Sequence, residues 1–222
     1  MRLADGPPGG GAEGVDVHAR CTTVTTDPRR VNDAVAYVRD DVLPGLSRLD
    51  GCLGLSMLVD RAEGRCIITS AWRELACLRA SGEHRRFLPD DDAPLFTSVP
   101  LVEEWEIAVL HRSHSGRHGA WARVAWMTGD VHLADQQVDV YRMLAVPVLD
   151  EIEGFSGASL LIDRRTGRGV SCVTYESRAA LDAGRDQAMR MRRDAVRLTG
   201  VEVERSVELE LPLAHLRVPE TV

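Results

Sequence analysis

The chain has 222 residues, 44% of them hydrophobic and 27% charged, with a formal net charge of −7. That is apolar material enough for one large or two small cores. The acidic balance argues against a general nucleic-acid partner or an anionic membrane surface.

In chain order, residues 1–15 are rich in Gly and Pro, hold nothing to bury, and are expected to form a flexible tail. His18–Thr26 reads as a first strand, and Asp27-Pro28 supplies a helix N-cap and a proline at the first helical position. Behind it Val31, Val35, Val38 and Val42 recur at helical spacing as one apolar stripe. Pro44 is expected to kink or end that helix. Next comes Gly51-Cys-Leu-Gly54-Leu-Ser56-Met-Leu58-Val-Asp60-Arg61-Ala-Glu-Gly64-Arg65, an apolar strand, a turn and the start of a third strand. Gly64 sits where a hairpin loop needs a positive φ. The third strand ends at Trp72, where a second helix begins; Pro89 and Asp90-Asp91-Asp92 are expected to break it and to make a movable lid. A last strand places Trp105, Ile107 and Val109 on one face, opposite Glu104 and Glu106. The polar stretch 111–120 reads as a joint.

The chain then repeats itself. At a constant offset of 103, residues 18–82 match 121–185 at 19 of 65 positions without a gap, where unrelated segments match at roughly one in twenty. Asp130 repeats the cap, Pro147 the helix break, Gly154 to Arg168 the hairpin phrase and Tyr175 the end of strand three. In the second copy the second helix is expected to run unbroken through Met189, Met191 and Val196, and Val207, Leu209 and Leu211 share a face of the last strand. Each unit is therefore β-α-β-β-α-β, an α+β ferredoxin-like order. The expected divisions are a tail (1–15), repeat one (16–112), a linker (113–120), repeat two (121–215) and a C-terminal tail (216–222).

The Asp/Pro-capped first helix, Gly51-x-x-Gly54, the Asp60-Arg-x-x-Gly hairpin and Trp72 closing strand three together resemble the antibiotic-biosynthesis-monooxygenase-like domain of the dimeric α/β-barrel superfamily. Members of that family pair two subunits sheet against sheet, so a tandem chain resembles that dimer made covalent. Physics asks for the same arrangement, because a sheet with helices on one face leaves its other face uncovered. The resemblance implies a pocket between sheet and helices and either a binding or accessory module or a cofactor-independent monooxygenase acting on an activated aromatic. The haem-degrading pattern, an Asn on strand one with a Trp and a His on helix two, is absent, and no cofactor is expected.

Trp72, His84 and Trp105 of the first copy, with Arg20 on strand one, are the candidate ligand-binding residues. Trp72 reads more readily as a core aromatic, since Tyr175 takes its place in the second copy. His84 reads more readily as an exposed helix-end residue, although its counterpart, Gln187, favours a one-sided role. Trp121 and Trp126, on strand one of the second copy, weigh against a site confined to the first. Arg20 and Arg123 sit mid-strand in both copies and call for a carboxylate such as Glu106 or Glu208. His111, His114 and His118 have metal-like spacing but no Cys or carboxylate beside them, so no metal is expected. The five cysteines (21, 52, 66, 77 and 172) form no metal-type pair and read as small core residues of a reducing compartment. With no transmembrane run and no apolar signal core, the expected location is cytoplasmic. The expected partner is a small apolar or aromatic ligand, with no nucleic acid and no membrane; a homo-oligomer beyond the intrachain pair stays open.

Overall fold

The computed structural model describes residues 17–82, 95–113 and 119–220. The stretch read as a tail (1–15), His84, the Pro89 break with its acidic run, His114 and His118 lie outside them.

Eight strands form: β1 (His18–Thr25), β2 (Cys52–Asp60), β3 (Arg65–Trp72), β4 (Leu101–Arg112), β5 (Ala120–Thr128), β6 (Phe155–Asp163), β7 (Arg168–Tyr175) and β8 (Glu202–Leu216). Asp27 and Asp130 cap as expected, accepting from the backbone N–H groups of Arg29 and His132. Behind them run α1 (Val31–Tyr37) and α4 (Ala134–Val140), then a π-type turn over Val38–Val42 or Tyr141–Ala145, then α2 (Leu43–Leu46) or α5 (Val146–Asp150). The prolines therefore neither end nor sharply break the helix. A wider turn just ahead of Pro44 and Pro147 takes up the missing N–H and the ring's steric demand.

Gly64 and Gly167 have φ of +67° and +70°. A Cβ on either would lie 1.9 or 2.1 Å from a backbone oxygen, of Thr26 or Gly129, so the hairpin turn needs glycine for space as well as for conformation. The second helices are α3 (Leu75–Ser81) in copy one, and α6 (Arg178–Ala183) with α7 (Arg185–Thr199) in copy two. The expected unbroken helix is thus stepped at Gly184, whose Cβ would meet Ile152 Cγ2 at 2.6 Å.

The strands close into one barrel in the order β1-β3-β2-β8-β5-β7-β6-β4. β4 pairs with β1 over Leu101–Thr23 to Glu106–His18, then leaves its own copy and pairs with β6 from Glu106 to Arg112. β8 does the same in reverse, pairing with β5 and then, through Leu216, with β2. Each copy's last strand therefore completes the other's sheet, and the unpaired edges that a lone unit would expose disappear. His111 and Arg112, read as part of the joint, belong to β4.

The sheet separates three apolar layers. The lumen holds Ala19, Cys21, Trp105, Ile107, Ala122 and Leu209 among others. Outside it, α1 to α3 cover one half of the barrel over Val38, Ile68 and Trp72, and α4 to α7 cover the other over Leu149, Phe155 and Tyr175. Val109 does not share a face with Trp105 and Ile107. The register shifts between Ile107 and Val109, and this bulge turns Val109 outward among Val138, Val146 and Leu160. The matching irregularity in β8 turns Leu213 outward while Leu211 stays at the lumen. Register also pairs the last strands: Ala19 faces Trp105 and Ala122 faces Leu209, so the counterpart of Trp105 is Leu209.

Candidate ligand pocket between sheet and helices

Of the four residues singled out in the first copy, the three that the structure describes, Trp72, Arg20 and Trp105, are not brought to one site. Trp72 is fully buried between sheet and helices, and its Nε1 donates to Ser70 Oγ at 3.0 Å. Arg20 also points toward the helices, where it donates to Ser81 Oγ and to the Leu78 carbonyl at 2.9 Å each and pairs with Glu104 at 2.8 Å. Its partner is Glu104 rather than Glu106, because strands β1 and β4 place Arg20 and Glu104 directly opposite. With both terminal nitrogens bonded, it closes the end of α3. Trp105 faces the other way, into the lumen.

The second copy, over the same surface, keeps an open pocket of about 140 Å³. The sheet supplies Ala125, Leu160 and Val173, and α7 supplies Ala188, Met191 and Ala195. Its polar lining includes Arg123, Gln137, Tyr141, Ser171 and Tyr175, with charged groups such as Asp163 and Arg192 beside them. Three atoms of that set, Arg123 Nη1, Gln137 Nε2 and the Tyr175 hydroxyl, are buried with no hydrogen-bond partner among the described residues. The Tyr141 hydroxyl bonds Ser171 Oγ at 2.9 Å.

The offset of 103 explains why the two copies differ. Val38, Ile68 and Trp72 in the first correspond to Tyr141, Ser171 and Tyr175 in the second, so three apolar groups become three hydroxyls on one patch. Ser81, which satisfies Arg20, corresponds to Gly184. Without that hydroxyl, Arg123 keeps, among the described residues, Glu208 at 3.1 Å and the Leu181 carbonyl at 3.3 Å as hydrogen-bond acceptors, both through Nη2. Glu208 also serves Arg178 at 2.9 Å and Arg185 at 2.7 Å. Its own burial raises the carboxyl, and the guanidinium groups of Arg123 and Arg185 outweigh that and hold it below the usual range. Burial pushes the hydroxyls of Tyr141 and Tyr175 up, so both act as donors rather than bases. These substitutions were visible in the aligned copies. Reading Trp72/Tyr175 alone, as one bulky aromatic replacing another, missed them.

Among the described residues no group of three or more His, Cys, Asp or Glu could hold a metal ion. Nor is any helix there long and apolar enough to cross a membrane.

No family model matches the chain. It is 42% identical over 210 residues to the uncharacterised protein Rv2557 of Mycobacterium tuberculosis H37Rv, covering 95% of this chain and 94% of that protein. To Rv2558 of the same strain it is 44% identical over 207 residues, covering 93% and 88%. Among solved structures, an anthrone oxidase-like protein superposes with a TM-score of 0.62 at 17% identity, covering 92% of this chain and 93% of that one. A Listeria monocytogenes 4b F2365 ferredoxin-fold protein related to antibiotic biosynthesis monooxygenases superposes at 0.50 with 8% identity, covering 90% and 96%. At such identities the likeness is one of fold. The fold is the antibiotic-biosynthesis-monooxygenase-like dimeric α/β barrel, carried on a single chain.

Proposed function

The chain belongs to the family of Rv2557 and Rv2558, and we propose that it is a small-molecule-binding module whose ligand sits between the second copy's sheet and α7. The observation that carries this reading is that three buried, unpartnered polar atoms, Arg123 Nη1, Gln137 Nε2 and the Tyr175 hydroxyl, belong to residues lining one mainly apolar pocket. Arg123 Nη1 can only donate, and the raised Tyr175 keeps its proton. The ligand therefore brings oxygen acceptors to an apolar ring. Apolar cavities of about 150 Å³ hold a molecule the size of benzene, so a pocket of about 140 Å³ suits one aromatic ring. A three-ring molecule would require α7 to move.

Binding is favoured over oxygenation because a cofactor-independent monooxygenase needs a base to activate its substrate. The pocket's tyrosines stay protonated, Glu208 beside it is held by three arginines, and Asp163 in its lining accepts from the Arg165 N–H and the Thr166 hydroxyl. Calorimetric titration with benzoate and with phenol tests the proposal. Benzoate should bind, and Arg123→Met or Tyr175→Phe should weaken it tenfold or more. Failure of both probes to bind, or binding indifferent to both substitutions, would refute it. Oxygen uptake with 1,4-hydroquinone would overturn the non-catalytic part alone.

A further inference from the structure

We infer that the barrel lumen is a second ligand site, separate from the sheet–helix pocket, and that it takes an elongated, mainly apolar carboxylic acid carrying another oxygen near its far end. The lumen contains a cavity of about 450 Å³, the size of a small-molecule site rather than of packing defects. Most of its wall is apolar, including Leu58, Ile67, Ile107, Leu161 and Val170. Such a wall suits a ligand that is mainly apolar and carries few polar groups.

Among the polar residues of the wall, which include Ser56, Thr69, Glu103 and Thr174, Trp105 and Arg112 hold buried N–H donors that lack a partner among the described residues. Trp105 is 3% exposed, and its Nε1, which can only donate, has no partner among the described residues. Arg112, on the same strand, gives Nη1 to the Val218 carbonyl at 2.9 Å, while its Nη2 is buried without a partner among those residues. Both residues line the cavity. A buried indole N–H left unmet is costly, and a buried guanidinium nitrogen more so. Neither donor has a like counterpart in the second copy. By register Trp105 corresponds to Leu209, and Arg112 to Leu216 at the end of β8. Both unmet donors therefore lie on β4, as expected for one asymmetric ligand on the barrel axis.

Topology sets the ligand's length. Arg112 ends β4 at one mouth and Trp105 lies seven residues back along it, about 23 Å at about 3.3 Å per residue, which the bulge after Ile107 brings down to roughly 20 Å. Strand tilt shortens that span along the axis, leaving room for a chain of about a dozen carbons. The carboxylate belongs at Arg112, whose guanidinium matches it in charge and geometry. The second oxygen belongs at Trp105. The Arg112 mouth is crossed by the residues after β8: Arg217 N–H donates to the Leu53 carbonyl at 2.6 Å, and Val218 is 3% exposed within the lumen core.

The test compares 12-hydroxydodecanoate, dodecanoate and dodecan-1-ol, titrated into the full chain by calorimetry and by tryptophan fluorescence. Wild type should bind the hydroxy acid about fivefold or more tightly than dodecanoate. Arg112→Met should weaken both acids at least tenfold while leaving the alcohol within twofold. Trp105→Phe should erase the preference for the hydroxy acid alone. Arg112→Gln, which keeps a donor for Val218, serves if Arg112→Met unfolds. Tyr175→Phe, in the other pocket, should leave all three affinities unchanged. No binding of either acid, acid binding unaffected by loss of the Arg112 charge, or acid binding lost on Tyr175→Phe would each overturn the inference. Only the last would move the acid to the sheet–helix pocket, and none bears on benzoate.

Discussion

Arg61 in the first copy's hairpin turn and Glu210 on the second copy's last strand form a two-pronged pair, Nε to Oε2 at 2.5 Å and Nη2 to Oε1 at 2.9 Å. Its pseudo-symmetric mate is Arg164 with Glu106, at 2.7 and 3.0 Å. The Arg of the repeated Asp-Arg-x-x-Gly phrase thus ties each hairpin to the strand arriving from the other copy. Both pairs are partly exposed, which limits each to about 0.5–1 kcal/mol. Arg61→Ala should lower the unfolding free energy in urea by that amount. Arg61→Ala combined with Arg164→Ala should lose the sum, since the two pairs share no partner. A sum well below additive would mean that the seams are not independent.

Trp72 and Tyr175 occupy equivalent places with opposite consequences. Trp72 is fully buried and hydrogen-bonded, so Trp72→Ala should cost about 3–5 kcal/mol. Tyr175 is fully buried with an unmet hydroxyl, so Tyr175→Phe should stabilise by about 1 kcal/mol while weakening benzoate. Thermal melts of the two variants, alone and with ligand, check both signs.

Glu208 sets an acid limb. Its carboxyl titrates below the ordinary range once folded, since its arginine pairs outweigh its burial. A depressed carboxylate contributes stability above its unfolded pKa, near 4.3, and loses that contribution as pH falls through the lower folded value. Stability measured from pH 6 to pH 2.5 should therefore decline more gently in Glu208→Gln than in wild type, from a lower starting value. Parallel curves would show that Glu208 is not linked to folding.

Cys21 and Cys172 face the lumen, and burial pushes both thiols up to about 12. At pH 8 that leaves about one thiolate in ten thousand at each, too little for ready alkylation. Native protein treated with iodoacetamide should leave both unmodified by peptide mass spectrometry, and denatured protein should be labelled at both. Rapid labelling of the native chain at either position would show that the lumen opens freely to solvent.

Much of the fold was legible in the residues because it rests on local rules. Asp27 and Asp130 announce caps, Gly64 and Gly167 announce turns, and the offset of 103 makes each copy a check on the other. The candidate site was less legible. Its clearest sequence signal, Val38/Ile68/Trp72 against Tyr141/Ser171/Tyr175, lies in positions far apart along the chain that meet only when β6 and β7 are laid against α4 and α7.

By itself, then, the sequence determined two β-α-β-β-α-β units, their caps, their hairpins and the apolar faces that require a cover. Those features depend on neighbours within a few residues, or on simple periodicity. The tertiary structure alone decided that β4 and β8 leave their own copies to close one barrel. It decided that a bulge after Ile107 turns Val109 outward, and that Trp105 faces the lumen while Trp72 and Arg20 face the helices. It also decided that replacing Ser81 by Gly184 frees an arginine nitrogen in the second copy. A one-residue irregularity reverses every side chain beyond it, and a hydrogen bond is satisfied or orphaned by groups sixty residues apart, so no local pattern carries either outcome.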